Sequence, residues 1–309
     1  MQERSPAPER LPAQEWRARE AAHESAVDAR VAGHEQRRRA GQGHPVEDFL
    51  FVYYNFPPAR LRRWHPGPGI VLEEAGATQR AGWAHYAADA AGAVRLDVAG
   101  FLERRGSTVN FVRDLLVATR GRSAYTGCFG MHEWAMVYRQ AADQVRHSAY
   151  PLRLGPAGTD EVVEAHQIRC SHFDAFRFFT DAARPRNAIQ PDRASQVALE
   201  QPGCLHAGMD LYKWAHKLSP LTPSDLVLAA FDLAREIRTL DMRASPYDLS
   251  ELGYRPVPVE TPEGKAEYAA AQRAFAARGN ALRDRLLALL PQCGEPPGRP
   301  DRTGVRAEG

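Results

Sequence analysis

The stretch SDLVLAAFDLAREIRTLDMRA, residues 224–244, decides the fold. Leu226, Ala229, Ala230, Leu233, Ile237 and Leu240 recur at three- and four-residue spacings, which puts them on one stripe of an α-helix. Thr222 or Ser224 caps this helix. Ser245-Pro246 ends it, because proline disfavours helical backbone in the residue before it. Such a stripe needs other helices to cover it, and the chain supplies them on both sides. Residues 205–218 read as helix, and Thr261-Pro262 opens a long one over 263–290 with proline at its first position. Ser107 or Thr108 caps another through Val109 to Thr119. Short strands or turns occupy residues 70–105. The pattern predicts a mainly α protein with a few short strands, or an α+β one if those strands form a substantial sheet.

These helices belong to one globular domain, residues 44–291, beginning at His44-Pro45. Residues 1–43 are charge-mixed and poor in large apolar groups. Leu11, Trp16, Val27 and Val31 are the main exceptions. The reading is a helical or flexible arm, solvated or loosely docked, that starts after Pro12 and ends in Arg37-Arg38-Arg39. Residues 292–309 are rich in proline, glycine and charge and read as a disordered tail that leaves Cys293 outside the core. Within the domain, DFLFVYYNF (48–56) is an apolar run that periodicity alone cannot assign to helix or strand. ARLRRWHPGPG (59–69) is a loop whose arginines and tryptophan suit phosphate binding as well as an ordinary surface.

Composition narrows the function classes. The 309 residues are 44% hydrophobic, enough for a core, and the net charge of +2 gives no bulk attraction to nucleic acid. The basic residues are almost all arginine, the lysines being Lys213, Lys217 and Lys265. No apolar run is long enough to span a bilayer, and MQERSPAPER has no signal-peptide core, so no membrane partner and a cytoplasmic location are expected. Four cysteines in a chain this size make thiols or metal ligands rather than a disulfide scaffold. Oligomeric state is left open.

The candidate chemistry lies between Gly127 and Lys217, where three cysteines each have a histidine nearby: Cys128 with His132, Cys170 with His172, and Cys204 with His206. Thiolate and imidazole are ligands for zinc or iron, and a carboxylate completes an open site. The spacing lacks the Cys-x-x-Cys signature of structural zinc, so the alternative is buried cysteines acting as small apolar residues. Asp174 and Asp210 sit in apolar, helix-like surroundings (HFDAFRF, GMDLYKW), where burial would raise a carboxyl pKa. His172 or His206 could relay the proton. Glu133 falls near a helix N-terminus. Asp174 could equally pair with Arg177. No phosphate-binding, dinucleotide, nucleophile-elbow or His-Glu-x-x-His motif is present.

The blocks HPVEDFLFVYYNFPPARLRRWHPGPG, GCFGMHEWAMVYR, IRCSHFDAFRFF, LEQPGCLHAGMDLYKWAHKLSP and LDMRASPYDL resemble an actinobacterial family usually named 3-methyladenine DNA glycosylase. The resemblance covers roughly His44 to Leu290 and carries no catalytic residue with it. No helix–hairpin–helix is present. It implies hydrolysis of the N-glycosidic bond of an alkylated base, with DNA as partner and no cofactor. The base would be flipped into an aromatic pocket. Trp134, Phe176, Tyr212 and Trp214 are its candidates. Asp174 or Asp210, with Glu133, His172 and His206 nearby, would do the chemistry, and Arg60, Arg62, Arg63 and Arg186 would hold phosphates. The competing readings are a metal-dependent hydrolase or related enzyme on a small substrate, and a non-catalytic binding protein. In the former, Cys128, His132, Cys170, His172, Cys204 and His206 hold zinc or iron.

Overall fold

The computed structural model describes residues 7–141 and 149–290. The tail at 292–309 lies outside them. The protein is mainly α, with 56% of the described residues in helix and 6% in strand. Three helices make its centre: α9 (Leu205–Lys217), α10 (Ser224–Arg243) and α11 (Pro262–Leu289). The stripe of α10 is buried along its length, with Leu226, Ala230, Leu233, Ile237 and Leu240 all in the main core. Gly208 of α9 meets it closely, since a Cβ there would lie 2.7 Å from the Ile237 Cδ1. Thr261 caps α11, its hydroxyl accepting the Gly264 N–H at 3.1 Å.

The remaining elements pack around this centre. α4 (Val98–Arg120) begins nearly three turns earlier than a cap at Ser107 would give, because Asp97 accepts the Gly100 N–H at 2.9 Å and Phe101 extends the buried stripe. The 48–56 run resolves into the short helix α2 (Phe49–Tyr53), and α3 (Pro58–Leu61) follows its two prolines. Four more short helices follow, α5 (Met131–Ala135), α6 (Gly155–Ala165), α7 (Phe173–Phe176) and α8 (Gln196–Leu199); α5 packs on α6 and α8 on α4. Residues 166–172 contribute a single bridge, from Ile168 to Asn187.

The strands form one small sheet in the order β1-β2-β4-β3: β1 (Glu9–Leu11), β2 (Ile70–Leu72), β3 (Tyr86–Ala88) and β4 (Val94–Leu96). β1 runs parallel to β2, with Arg10 opposite Val71, and the β2–β4 and β4–β3 pairs are antiparallel. This pairing anchors the N-terminal segment. α1 (Ala13–Arg39) then crosses the domain with Trp16, His23, Val27 and Val31 buried. Arg30 clamps Asp232 of α10 through two hydrogen bonds of 2.7 and 2.8 Å, and a His23 ring nitrogen meets the Leu61 carbonyl at 2.9 Å. Apolar groups are few on α1, so polar ties do much of the docking. Its last turn reaches the mouth of the main cavity.

Candidate functional site

Helical spacing builds the site. His206, Asp210 and Lys213 are four and three residues apart and share one face of α9. Arg238 and Asp241 are one turn apart on α10, and α5 contributes the adjacent pair His132 and Glu133. His172 and Asp174 come from the start of α7, and Glu200 from the residue after α8. Two groups of three buried donors result. In each group the ligand atoms lie within 4.8 Å of one another.

The first group is His132, His206 and Asp241. His132 Nε2 is 2.7 Å from Asp241 Oδ1. Arg238 Nη1 donates to the other oxygen of Asp241 at 3.1 Å and to Glu133 at 2.8 Å. Burial alone would lower the His132 pKa, but the Asp241 carboxylate beside it prevails and raises it. Burial likewise works to raise Asp241, and the His132 charge outweighs it and holds the carboxyl below its usual range. His206 differs. Its ring lies edge-on to His132 at 4.4 Å, its Nδ1 is buried without a hydrogen-bond partner, and burial followed by the neighbouring His132 push it well below 6.5. It is a neutral imidazole with an unused nitrogen.

The second group is His172, Glu200 and Asp210. Asp210 already accepts from Lys213 at 2.6 Å, from the Tyr54 hydroxyl at 2.8 Å, and meets His172 Nε2 at 3.3 Å. Burial opposes its charge, yet Lys213 and His172 hold it well below the carboxylate range. Lys213 also reaches Asp174 at 3.3 Å, and Asp174 pairs with Arg177 at 3.5 Å. Burial raises Glu200. The rings of His172 and His206 stack at 5.2 Å and join the two groups.

A cavity of about 820 Å³ opens above the first group. His206, Glu133 and Arg238 line its inner end, Phe49, Tyr53 and Phe178 form aromatic walls, and Asp174 and Arg177 lie at one side. α1 supplies His34 and Arg38 at the mouth. The Arg238 guanidinium lies 3.9 Å over the Phe49 ring. Of the acids singled out from sequence, Glu133 and Asp174 reach this cavity, while Asp210 is buried behind it.

Trp134 and Tyr212 have no exposed surface, and Phe176 and Trp214 are also buried; none is among the described lining residues. Trp134 Nε1–H donates to the Ala244 carbonyl, and the Lys213 and Lys217 ammonium groups cover Trp214. Arg62 pairs with Asp28 and Glu24, Arg186 donates to the carbonyls of Val163 and Glu164, and Arg60 and Arg63 lie at a different pocket. Cys128, Cys170 and Cys204 line a void of only about 10 Å³, too small to hold much beyond one water. Burial pushes their thiols up, Cys170 to about 12, so they stay protonated. No three-donor group among the described residues includes a cysteine.

Sequence reasoning passed over Arg238, Asp241, Glu200, Lys213 and Tyr54. One signal was available: Asp241 follows Ile237 by four residues and therefore falls on the apolar stripe of α10, where a carboxylate needs a reason. No helix among the described residues is long and apolar enough to cross a membrane. No family model, curated protein or solved structure matches this chain.

Proposed function

We propose that the chain is a metal-dependent enzyme, of hydrolase or related chemistry, acting on a small substrate held in the cavity above His206. One observation carries this reading. His132, His206 and Asp241 converge behind the cavity wall, His206 is the member of the three that lines the cavity, and it is buried there with a ring nitrogen that no group satisfies. Two imidazoles and a carboxylate suit zinc or iron with coordination positions left for water or substrate. Charge balance leaves room for it: among the described residues the buried carboxylates of Glu133, Glu200, Asp210 and Asp241 face three buried or nearly buried permanent cations, Lys213, Arg238 and Arg283. Buried carboxylate in excess calls for protons or a metal cation.

A cation bound there supplies Lewis acidity and lowers the pKa of a bound water. Among the described lining residues Asp48 is held by Arg37 and His34, which leaves the carboxylates of Glu133 and Asp174 to take or give a proton, and Arg238 orients Glu133. The flat aromatic walls and the arginines at the rim favour a small molecule with an apolar or planar part and an anionic part. A cytosolic setting, which keeps the buried thiols reduced, belongs to this reading. The test is a panel of small ester, amide and phosphoester substrates. Activity should vanish on chelation and return with zinc or iron; activity indifferent to chelator would count against a metal.

Base excision remains a second reading on one observation: Asp174 stands beside Phe49, Tyr53 and Phe178 in a cavity large enough for a purine. There DNA is the partner and no cofactor is needed. Release of methylated base from alkylated DNA by chelator-treated protein would favour it over the metal reading.

A further inference from the structure

A second pocket, of about 250 Å³, lies where the loop after α3 meets the end of α9 and the start of α10. We propose that it binds a phosphomonoester dianion, held by Arg60 and Arg63 beside His65, Trp83 and His216. This site is separate from the cavity above His206 and does not depend on a metal there.

The first argument is charge. No carboxylate is among the described residues that line the pocket. Just over half of the described arginines have an acidic partner, and two neighbours show the contrast: Arg62 pairs with Asp28 and Glu24, and Arg80 with Glu20. Arg60 and Arg63 have none among the described residues. Neither have Arg104, which reaches His85 at 3.5 Å, or Arg105, which donates to the Lys217 carbonyl at 3.2 Å. Two of these unpaired cations, Arg60 and Arg63, line the concavity itself, and Arg104 contacts its His85; together they favour an anion there.

The second argument is construction. Three hydrogen bonds lock the arginine-bearing loop to α10. Ser224 Oγ accepts the His65 N–H at 2.8 Å and donates to the Arg63 carbonyl at 3.2 Å, and the Ser224 N–H donates to the His65 carbonyl at 2.9 Å. Ser224 and Val227, from the first turn of this twenty-residue helix, line the pocket, so its positive end adds to the field. His216 stacks on Phe56 at 3.9 Å with an interplanar angle of 7°, and its Nε2 is buried without a partner. That nitrogen, protonated in one tautomer, is a donor awaiting an acceptor. Burial first, then the surrounding cations, push His65 down to about 3 and His216 to about 4. The imidazoles are therefore neutral donors near pH 7, and the arginines carry the charge.

The third argument is size. Trp83 already carries the guanidinium groups of Arg63 and Arg80 over its ring, at 5.3 and 4.6 Å, and Phe56 is buried against His216. No free aromatic face is left to stack a nucleobase, and the volume suits a phosphoryl group with a small substituent.

The experiment is calorimetric titration of the full chain, stripped with chelator, at low salt. The probes are inorganic phosphate, glycerol phosphate and a single-stranded oligonucleotide. Both phosphates should bind saturably at a single site. The Arg60→Ala/Arg63→Ala variant, altered only at exposed side chains, should bind at least about tenfold more weakly. Arg193→Ala, an exposed arginine on the loop before α8 and away from both pockets, should bind as the parent does. Absence of saturable phosphate binding, or equal affinity in the double variant, overturns the proposal. So does oligonucleotide binding without a response to either phosphate, which would assign the surface to a nucleic-acid backbone.

Discussion

Replacing His206 by leucine distinguishes a ligand from a packing residue, because the two roles shift stability in opposite directions. Leucine has a similar volume, so the change leaves little cavity. In the metal-free protein it removes a buried ring nitrogen with no partner, whose desolvation costs about 1–3 kcal/mol. It also removes the ring contacts to His132 at 4.4 Å and His172 at 5.2 Å, worth about 0.5–1.5 kcal/mol. The stripped variant should therefore be as stable as the stripped parent or up to about 2 kcal/mol more stable. Zinc reverses the order. At free zinc of about 100 times Kd the parent gains about 2.7 kcal/mol, whereas a variant bound about 100-fold more weakly gains about 0.4 kcal/mol. Urea unfolding of both proteins, with chelator and with buffered zinc, reads the two increments. An equal zinc increment in parent and variant would refute the assignment of His206 as a ligand.

Three further outcomes follow from the same geometry. Arg238→Met leaves Glu133 and Asp241 buried without their common cation, and should cost about 3–5 kcal/mol, a fall in Tm of roughly 5–10 °C by thermal unfolding. His65 titrates near 3 in the folded chain against about 6.5 unfolded. Between those values the unfolded state binds the extra proton, so this group's stabilisation falls as pH drops, by up to about 1.4 kcal/mol per pH unit. His65→Gln should flatten the stability profile measured by denaturant between pH 7 and 5, and an unchanged slope would contradict the burial argument. Gly264→Ala would drive a Cβ into the Pro258 carbonyl at the start of α11 and should lose about 1–3 kcal/mol in urea melts.

The helical frame was legible because its signals are local. The stripe from Leu226 to Leu240, the Thr261-Pro262 start and the proline after Ser245 each fix an element without reference to the rest of the chain. The start of α4 was misplaced because Asp97, as good a cap as Ser107, stands ten residues earlier with the Gly100 N–H within reach. The docking of α1 was hidden in long-range polar pairs, Arg30 with Asp232 and His23 with Leu61, which no periodicity records. The site divides in the same way. His132, His172 and His206 stand out in sequence beside cysteines, and the structure does bring them together. The cysteines drew attention by proximity in sequence, but they line a small void together with His132 and belong to neither group of three donors. Asp241 and Arg238 came from a helix read only for its apolar face. Their pairing with His132 and Glu133 spans more than a hundred residues and needs the fold.

The most direct test of the central claim is the metal content of full-length protein purified without chelator, measured by elemental mass spectrometry. The account predicts zinc or iron at near one equivalent per chain. That metal should be lost in His132→Ala and Asp241→Asn and retained in Cys170→Ala. Metal-free protein, or content unchanged in the His132 and Asp241 variants, would contradict it.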